Sequence, residues 1–227
     1  MQRFRFDGLA KMKPGDPVEL DRAESSHLFK ILRARPGDRV ELLDGHGTRG
    51  CAEVGTGRLL RLTQLAHEEF PARRIHLFIA PPRRQKMDQI LRETTELGVY
   101  RIVPVICARS VALPDSDSAE RQTGLLFEAC KQSGNAYLPI LGAPVSFAEA
   151  VETARRDCGL TVFGSPYENG LPGVLPDDTG FFVGPEGGFS EEEERLMNDA
   201  GFRPMRIGPW ILRVETAAVA GIARLWK

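Results

Sequence analysis

The chain has 227 residues, 42% of them hydrophobic, with 30 basic and 31 acidic side chains. That length holds one large domain or a small one joined to a medium one, and the balanced totals give no sign of a polyanionic partner. The distribution is less even: residues 1–92 carry 18 basic and 12 acidic residues, residues 93–227 carry 12 and 19, so the two parts have net charges of +6 and −7. Such an asymmetry points to nucleic acid at one end. Cys51, Cys107, Cys130 and Cys158 form no CxxC pair, and the four histidines are scattered, so no zinc spacing exists and no metal is expected. The opening MQRFRFDG is not an apolar signal segment, and no run approaches membrane-spanning length. With unpaired cysteines, the expectation is a reducing cytoplasm and no membrane.

Residues 1–70 predict short alternating strands joined by tight turns. RFRF opens the series, GDRVELLDG and RGCAEVG form a hairpin, and RLLRLTQLA follows. One helix interrupts, SSHLFKILR, with Asp21 and Glu24 spaced as a capping box. Strands this short imply a small β-barrel. The pattern changes at Phe70-Pro71. IHLFIAPP precedes the helix KMDQILRETTELG, and RIVPVIC precedes AERQTGLLFEACKQ. GLTVFG, GFFVGPE, the helix EEERLMNDAG, the strand RPMRIG and a final helix ending in ARLWK complete the chain. Alternating strands and helices imply a parallel sheet covered on both faces. The expected division is therefore a β module over 1–70 and an α/β domain over 71–227.

Two glycine motifs invite a nucleotide reading. GHGTRG, Gly45 to Gly50, matches G-x-G-x-x-G, but a strand follows it where the dinucleotide fingerprint needs a helix, and Asp44-Gly45 signals a hairpin turn. GPEGGFS, Gly184 to Ser190, does join a strand to a helix, with Ser190 and Glu193 spaced as a capping box. Acids in that first turn suit the helix dipole and repel phosphate, and no Lys-Ser/Thr pair follows, so ATP and GTP fit poorly. A ligand with adenine and a cationic centre, such as S-adenosylmethionine, has no phosphate to repel. A plain glycine-rich turn explains the segment equally well by itself.

A second Gly-Pro loop shifts the balance. IGPWILRVETAAVAGIARLW places Arg213, Glu215 and Thr216 at the entrance of a helix rich in small residues, which suits a crowded place. GPEGGFS with ILRVETAA resembles the signature of the RsmE family of SPOUT methyltransferases, which methylate N3 of a uridine in 16S ribosomal RNA. The similarity extends to HLFKILRARPGD and LLDGHG, KMDQILRETTELGV and KQSGNAYLP, nearly the whole chain. It implies an α/β fold with a SPOUT-type parallel sheet and a C-terminal trefoil knot, preceded by a small PUA-like β-barrel. It also implies a homodimer, S-adenosylmethionine as cofactor, and 16S ribosomal RNA of the small subunit as partner. By the same resemblance, the cofactor is held by Phe163 and Gly164, by Gly184, Pro185, Glu186, Gly187 and Gly188, and by Ile207, Gly208, Ile211, Leu212, Thr216 and Ala217.

Methyl transfer to N3 of uridine requires collinear sulfur, carbon and nitrogen, and removal or stabilisation of the charge left by the N3 proton. Arg213 is the candidate to steady that charge. Glu186 and Glu215 are candidate bases, with bracing of backbone amides the favoured role for either. N3 lies on the Watson–Crick edge, so the uridine must be unpaired or flipped out. For RNA contact the candidates are Arg3, Arg5, His27, Arg33 and Arg35 on the β module, Arg83, Arg84 and Lys86 after the first α/β strand, and Gln132 and Asn135. Cations at a helix start oppose its dipole, which suggests an outside anion. Asn135 and Trp210 stand where the family usually has arginine and Glu93 where lysine is frequent; Trp210 is suited to stack on a base. The competing readings are a SPOUT enzyme acting on another RNA position and a non-catalytic RNA-binding or assembly protein of the same fold.

Overall fold

The structure is a computed structural model that describes residues 1–111, 119–167 and 171–226; Lys227, the end of the expected last helix, lies outside them. The chain forms two compact units, Met1–Phe70 with Phe127–Leu138, and Pro71–Leu126 with Pro139–Lys227.

The first unit contains β1 (Gln2–Arg5), β2 (Pro17–Val18), α1 (Arg22–Ser26), β3 (Arg39–Leu43), β4 (Thr48–Val54) and β5 (Leu60–His67). The sheet order is β1-β3-β4-β5-β2, with β1 parallel to β3 and the other pairs antiparallel. GHGTRG begins in the β3–β4 turn: Asp44 Oδ1 accepts the His46 and Thr48 amides at 2.7 and 3.0 Å, while Gly45 and Gly47 take φ of 78° and 92°. Phe4, Leu9, Leu28, Val40, Leu42 and Leu62 are among the side chains of its core. The helix expected over SSHLFKILR departs from regularity. Asp21 accepts the Glu24 amide at 2.8 Å, but the Glu24 carboxylate turns away to Lys131 Nζ, also at 2.8 Å, so only half of the capping box forms. After Ser26 the helix widens into a π turn, His27–Ile31. Lys131 is buried between Glu24 and Glu128; burial lowers its pKa, and the two carboxylates more than offset that.

The second unit holds β6 (Arg74–Ile79), α2 (Arg84–Glu96), β7 (Arg101–Ile106), β8 (Ile140–Leu141), β9 (Val145–Ser146), α4 (Phe147–Asp157), β10 (Leu160–Gly164), β11 (Asp178–Val183), α5 (Glu191–Asp199), β12 (Arg203–Met205) and α6 (Val214–Leu225). The unit boundary falls within α3 (Ala119–Ser133). The sheet runs β12-β10-β11-β6-β7-β8, with β9 also on β7, and every pairing is parallel. Side-chain alternation along β11 distributes the helices. Phe182 stacks on Phe78 at 4.6 Å and meets Phe147 of α4, whereas neighbouring Phe181 points to the opposite face and lies under Gly221 of α6. Because both faces are covered, the central strands are buried and read as continuous apolar runs. Helix α4 was absent from the sequence reading, yet its signal was present: Ser146 and Glu149 form a complete capping box.

Candidate functional site

Strands β12, β10 and β11 are adjacent and parallel, so the segments leaving their carboxyl ends share one edge of the sheet. Ligands of open α/β sheets bind outside that edge. Phe163 and Gly164 end β10, and the next amide, Ser165, donates to Met205 O of β12 at 3.1 Å. Gly184 to Gly188 leave β11, and Ile207, Gly208, Ile211 and Leu212 leave β12. Thr216 and Ala217 lie in the first turn of α6. The segments leaving this edge thus carry Phe163, Gly164, Gly184 to Gly188, Ile207, Gly208, Ile211 and Leu212, and the last of them leads into the helix that holds Thr216 and Ala217.

Their exposure differs. Phe163 and Pro185 are buried, Phe163 edge-on to Phe189 at 6.4 Å, so Phe163 offers the edge only its backbone. Glu186, Gly187 and Gly188 are exposed, and Gly188 has φ 71°, which strains any L side chain. On the next loop Arg206 donates to the carbonyls of Gly208 and Pro209, each at 3.2 Å, while Trp210 and Ile211 are each 79% exposed.

The acidic run divides into two kinds of residue. Glu191, Glu192 and Glu194 face solvent, but Glu193 is only 5% exposed. Its Oε2 accepts the Ser190 amide at 2.8 Å, completing the capping box, and its Oε1 accepts the Ala108 amide at 2.7 Å. The acid that braces this loop is therefore Glu193. Glu186, for which bracing was expected, bonds to no amide among the described residues.

Arg213 is exposed at the N-cap of α6. Glu215, two residues on in the first turn, has Lys86 of α2 as its ion partner, Nζ to Oε1 3.3 Å, and its Oε2 is buried without a hydrogen bond among the described residues. Burial pushes the Glu215 carboxyl up; its own backbone N–H and Lys86, helped by Arg213, outweigh burial and hold it below the usual carboxylate range. A carboxylate so stabilised is a weak base.

The expected RNA-facing residues are not all equally available. Arg3 bonds Glu41 at 2.6 Å and the carbonyls of Lys131 and Gln132 at 2.9 and 3.1 Å. Glu41, also held by Arg49, lies below the usual range because those two arginines overcome its burial. Arg5 grips Asp7 and covers the Phe127 ring, and His27 tilts against Phe4. Asn135 Oδ1 accepts the Tyr137 amide at 3.0 Å, while the Gln132 side chain is exposed. Arg33, Arg35, Arg83 and Arg84 are exposed; Lys86 is committed to Glu215. Arg3, Arg5 and Lys86 are thus committed to partners within the fold, while Arg33, Arg35, Arg83 and Arg84 keep their exposure.

Sequence reasoning missed Arg109, on the turn after β7. Its Nη1 donates to the carbonyls of Gly187 and Phe189 at 2.9 and 3.0 Å. About eighty residues of chain separate the partners, and no local pattern marks the pair. Among the described residues no group of three or more His, Cys, Asp or Glu could hold a metal ion, and no helix is long and apolar enough to cross a membrane.

A parallel α/β unit with glycine-rich loops at its carboxyl edge and a separate compact β unit agree with two family matches. Residues 68–226 match the RNA methyltransferase domain and residues 20–59 the RNA methyltransferase PUA domain, which sets the class. The ribosomal RNA small subunit methyltransferase E of Synechocystis sp. is 32% identical over 92% of this chain and 72% of its own. The solved structure of the Neisseria gonorrhoeae ribosomal RNA small subunit methyltransferase E, bound to S-adenosyl methionine, superposes with a TM-score of 0.89 at 28% identity, covering 99% of this chain and 96% of that one. A Legionella pneumophila protein solved in complex with the bound cofactor SAM gives 0.87 at 28% identity, covering 98% and 96%. The chain belongs to the ribosomal RNA small subunit methyltransferase E family, and its architecture is a SPOUT-like parallel α/β domain with a PUA-like N-terminal module.

Proposed function

We propose that this protein is an S-adenosylmethionine-dependent methyltransferase acting on N3 of one uridine of 16S ribosomal RNA in the small subunit. It works in the cytoplasm as a homodimer, with residues 1–70 as the RNA-binding module and the carboxyl edge of 71–227, drawn into the family's trefoil knot, as the catalytic part. The observation that carries this reading is the convergence of three loops on one edge: Gly164, Gly184–Gly188 and Ile207–Leu212. The neighbouring structures with bound S-adenosylmethionine support it.

The residues fit that cofactor better than a nucleotide triphosphate. Four glutamates fill the first turn of α5, where a phosphate would otherwise be drawn, whereas a sulfonium is compatible with them. When bound, S-adenosylmethionine supplies an electrophilic methyl group. Gly187 and Gly188 leave the loop backbone open to a ligand, and Trp210, largely exposed, is placed to stack on a base or ribose of unpaired RNA. Arg213 contributes a planar, permanently charged fork for the negative charge that N3 deprotonation spreads onto O2 and O4. With Glu215 held below the usual carboxylate range by its backbone N–H and Lys86, Glu186 is the exposed one of the two candidate bases and is left to take the N3 proton. Calorimetry tests the reading: S-adenosylmethionine binds the protein without RNA, and a protein that binds none contradicts the proposal.

A further inference from the structure

We propose that Arg109 is a positioning residue for the glycine-rich loop: it fixes the Gly187 and Phe189 carbonyls and thereby sets cofactor affinity. This inference rests on the cofactor reading given above.

One backbone bond already restrains the loop, the Gly188 amide donating to Pro185 O at 2.9 Å, and the arginine adds two side-chain bonds that hold the carbonyls on either side of Gly188. Gly188, between the two bonded carbonyls, has left-handed φ and, among the described residues, no neighbour within 4 Å of a Cβ position. A glycine with that freedom gains entropy by leaving the one conformation a ligand needs. On its far side Phe189 is anchored, buried against Phe147 at 5.8 Å and Phe163 at 6.4 Å. On its near side Gly187 and Glu186 are exposed. Arg109 Nη1 bridges this weak point, since its two acceptors belong to the residues on either side of Gly188. Two carbonyl oxygens aimed at one spot repel each other unless a donor lies between them, and a cationic donor does this best.

The identity of Gly187 agrees with this role. A Cβ there would lie 3.4 Å from Arg109 Cβ and 3.5 Å from Arg109 Cδ, so the arginine stem lies flat on the glycine. Alanine is accommodated at the edge of ordinary contact, while a branched side chain would lift the stem and break both bonds. Gly187 therefore serves the arginine in addition to leaving room for a ligand.

The neighbouring residue adds a second tie. Arg109 donates to the loop carbonyls, and the Ala108 amide beside it donates to Glu193 Oε1 in the first turn of α5. The turn that presents both is itself closed, with the Cys107 amide donating to Ser110 Oγ at 3.0 Å and the Ser110 amide to Cys107 O at 3.1 Å. A closed turn offering hydrogen-bond donors from two adjacent residues is a fixed template against which the cofactor loop and the start of α5 are set.

The test uses the full-length protein and S-adenosylmethionine itself, with calorimetric affinity, steady-state KM and kcat, and thermal melting read in parallel. Arg109→Ala lowers affinity tenfold or more and raises KM by a similar factor, with kcat at saturating cofactor within about twofold of the parent and little change in melting temperature. Arg109→Lys recovers most of the affinity, because one nitrogen makes both bonds and an ammonium can replace it. Gly187→Val weakens binding in the parent but adds little in the Arg109→Ala background, the non-additivity expected of a shared contact. Parental affinity in Arg109→Ala, or no rescue by lysine, overturns the proposal. A full additive loss from Gly187→Val would place Gly187 against the ligand alone and overturn the stem-packing argument. A parent protein that binds no S-adenosylmethionine removes the cofactor reading, a failure separate from unchanged affinity in the variant.

Discussion

Replacing Glu193 separates the acidic run into its structural and its solvated members. Glu193→Ala removes one carboxylate that accepts the Ser190 amide at 2.8 Å and the Ala108 amide at 2.7 Å from a nearly buried position. A hydrogen bond to a charged group contributes about 1.5–3 kcal/mol. Relief from keeping the carboxylate out of water offsets part of the two, which leaves a net loss of roughly 2–4 kcal/mol. For a protein of this size that is a fall in melting temperature of roughly 5–15 °C. Glu193→Gln recovers at most half, since its amide nitrogen is a donor and only one of the two N–H groups finds an acceptor. Exposed Glu192 is the control: Glu192→Ala shifts melting by no more than about 2 °C. Scanning calorimetry or circular dichroism at matched pH reads all three. If Glu193→Ala melts with the parent, the carboxylate does not join the β7 turn to the α5 N-terminus and the account of the loop fails.

Gly221→Ala drives a Cβ into the buried Phe181 ring and destabilises by about 1–3 kcal/mol in urea unfolding, although alanine favours helix by about 1 kcal/mol; a stabilised variant would show that α6 does not press on β11. Lys86→Ala removes an ion partner that helps hold the Glu215 carboxyl below its ordinary value. A depressed folded-state pKa contributes stability above the unfolded value that is lost as pH falls through the folded one, so the parent's advantage over Lys86→Ala is full at neutral pH and disappears in acid; an advantage that grows in acid has the wrong sign. Arg213→Lys keeps charge but loses the planar fork, and turnover on saturating RNA falls about a hundredfold with cofactor affinity unchanged; parental turnover takes Arg213 out of the chemistry. Glu186→Gln slows turnover at neutral pH and regains it at high pH, where N3 ionises unaided, whereas weakened cofactor binding with no pH rescue would return Glu186 to a bracing role.

The parts of the molecule legible in the sequence are those set by local rules. Ser190 and Glu193 announced the start of α5, Asp44-Gly45 the β3–β4 turn, and the apolar runs IHLFI and GFFV the central parallel strands. Where a side chain had two possible partners, local rules failed. Glu24 left its expected capping box for Lys131, a residue far along the chain, and Lys86 turned to Glu215 instead of an outside anion. Arg3 and Arg5 read as surface cations yet are spent on Glu41, Asp7 and backbone carbonyls. The bracing acid was misplaced for the same reason. The Ser190–Glu193 spacing marks one of the two bonds of Glu193, but the other, to the Ala108 amide, depends on how the β7 turn packs, which no spacing in GPEGGFSEEEE encodes. Arg109 was invisible because its partners are carbonyls, which every residue has.

The central claim is that this chain transfers a methyl group to N3 of a uridine. Small ribosomal subunits lacking the modification, incubated with the protein and S-adenosylmethionine carrying a labelled methyl group, give the direct reading once the 16S ribosomal RNA is digested and the labelled nucleoside identified by mass. The account predicts 3-methyluridine at a single position, strongly reduced with Arg213→Lys. Label appearing as 2′-O-methylribose with no 3-methyluridine, or no transfer by a protein that binds the cofactor, would contradict it.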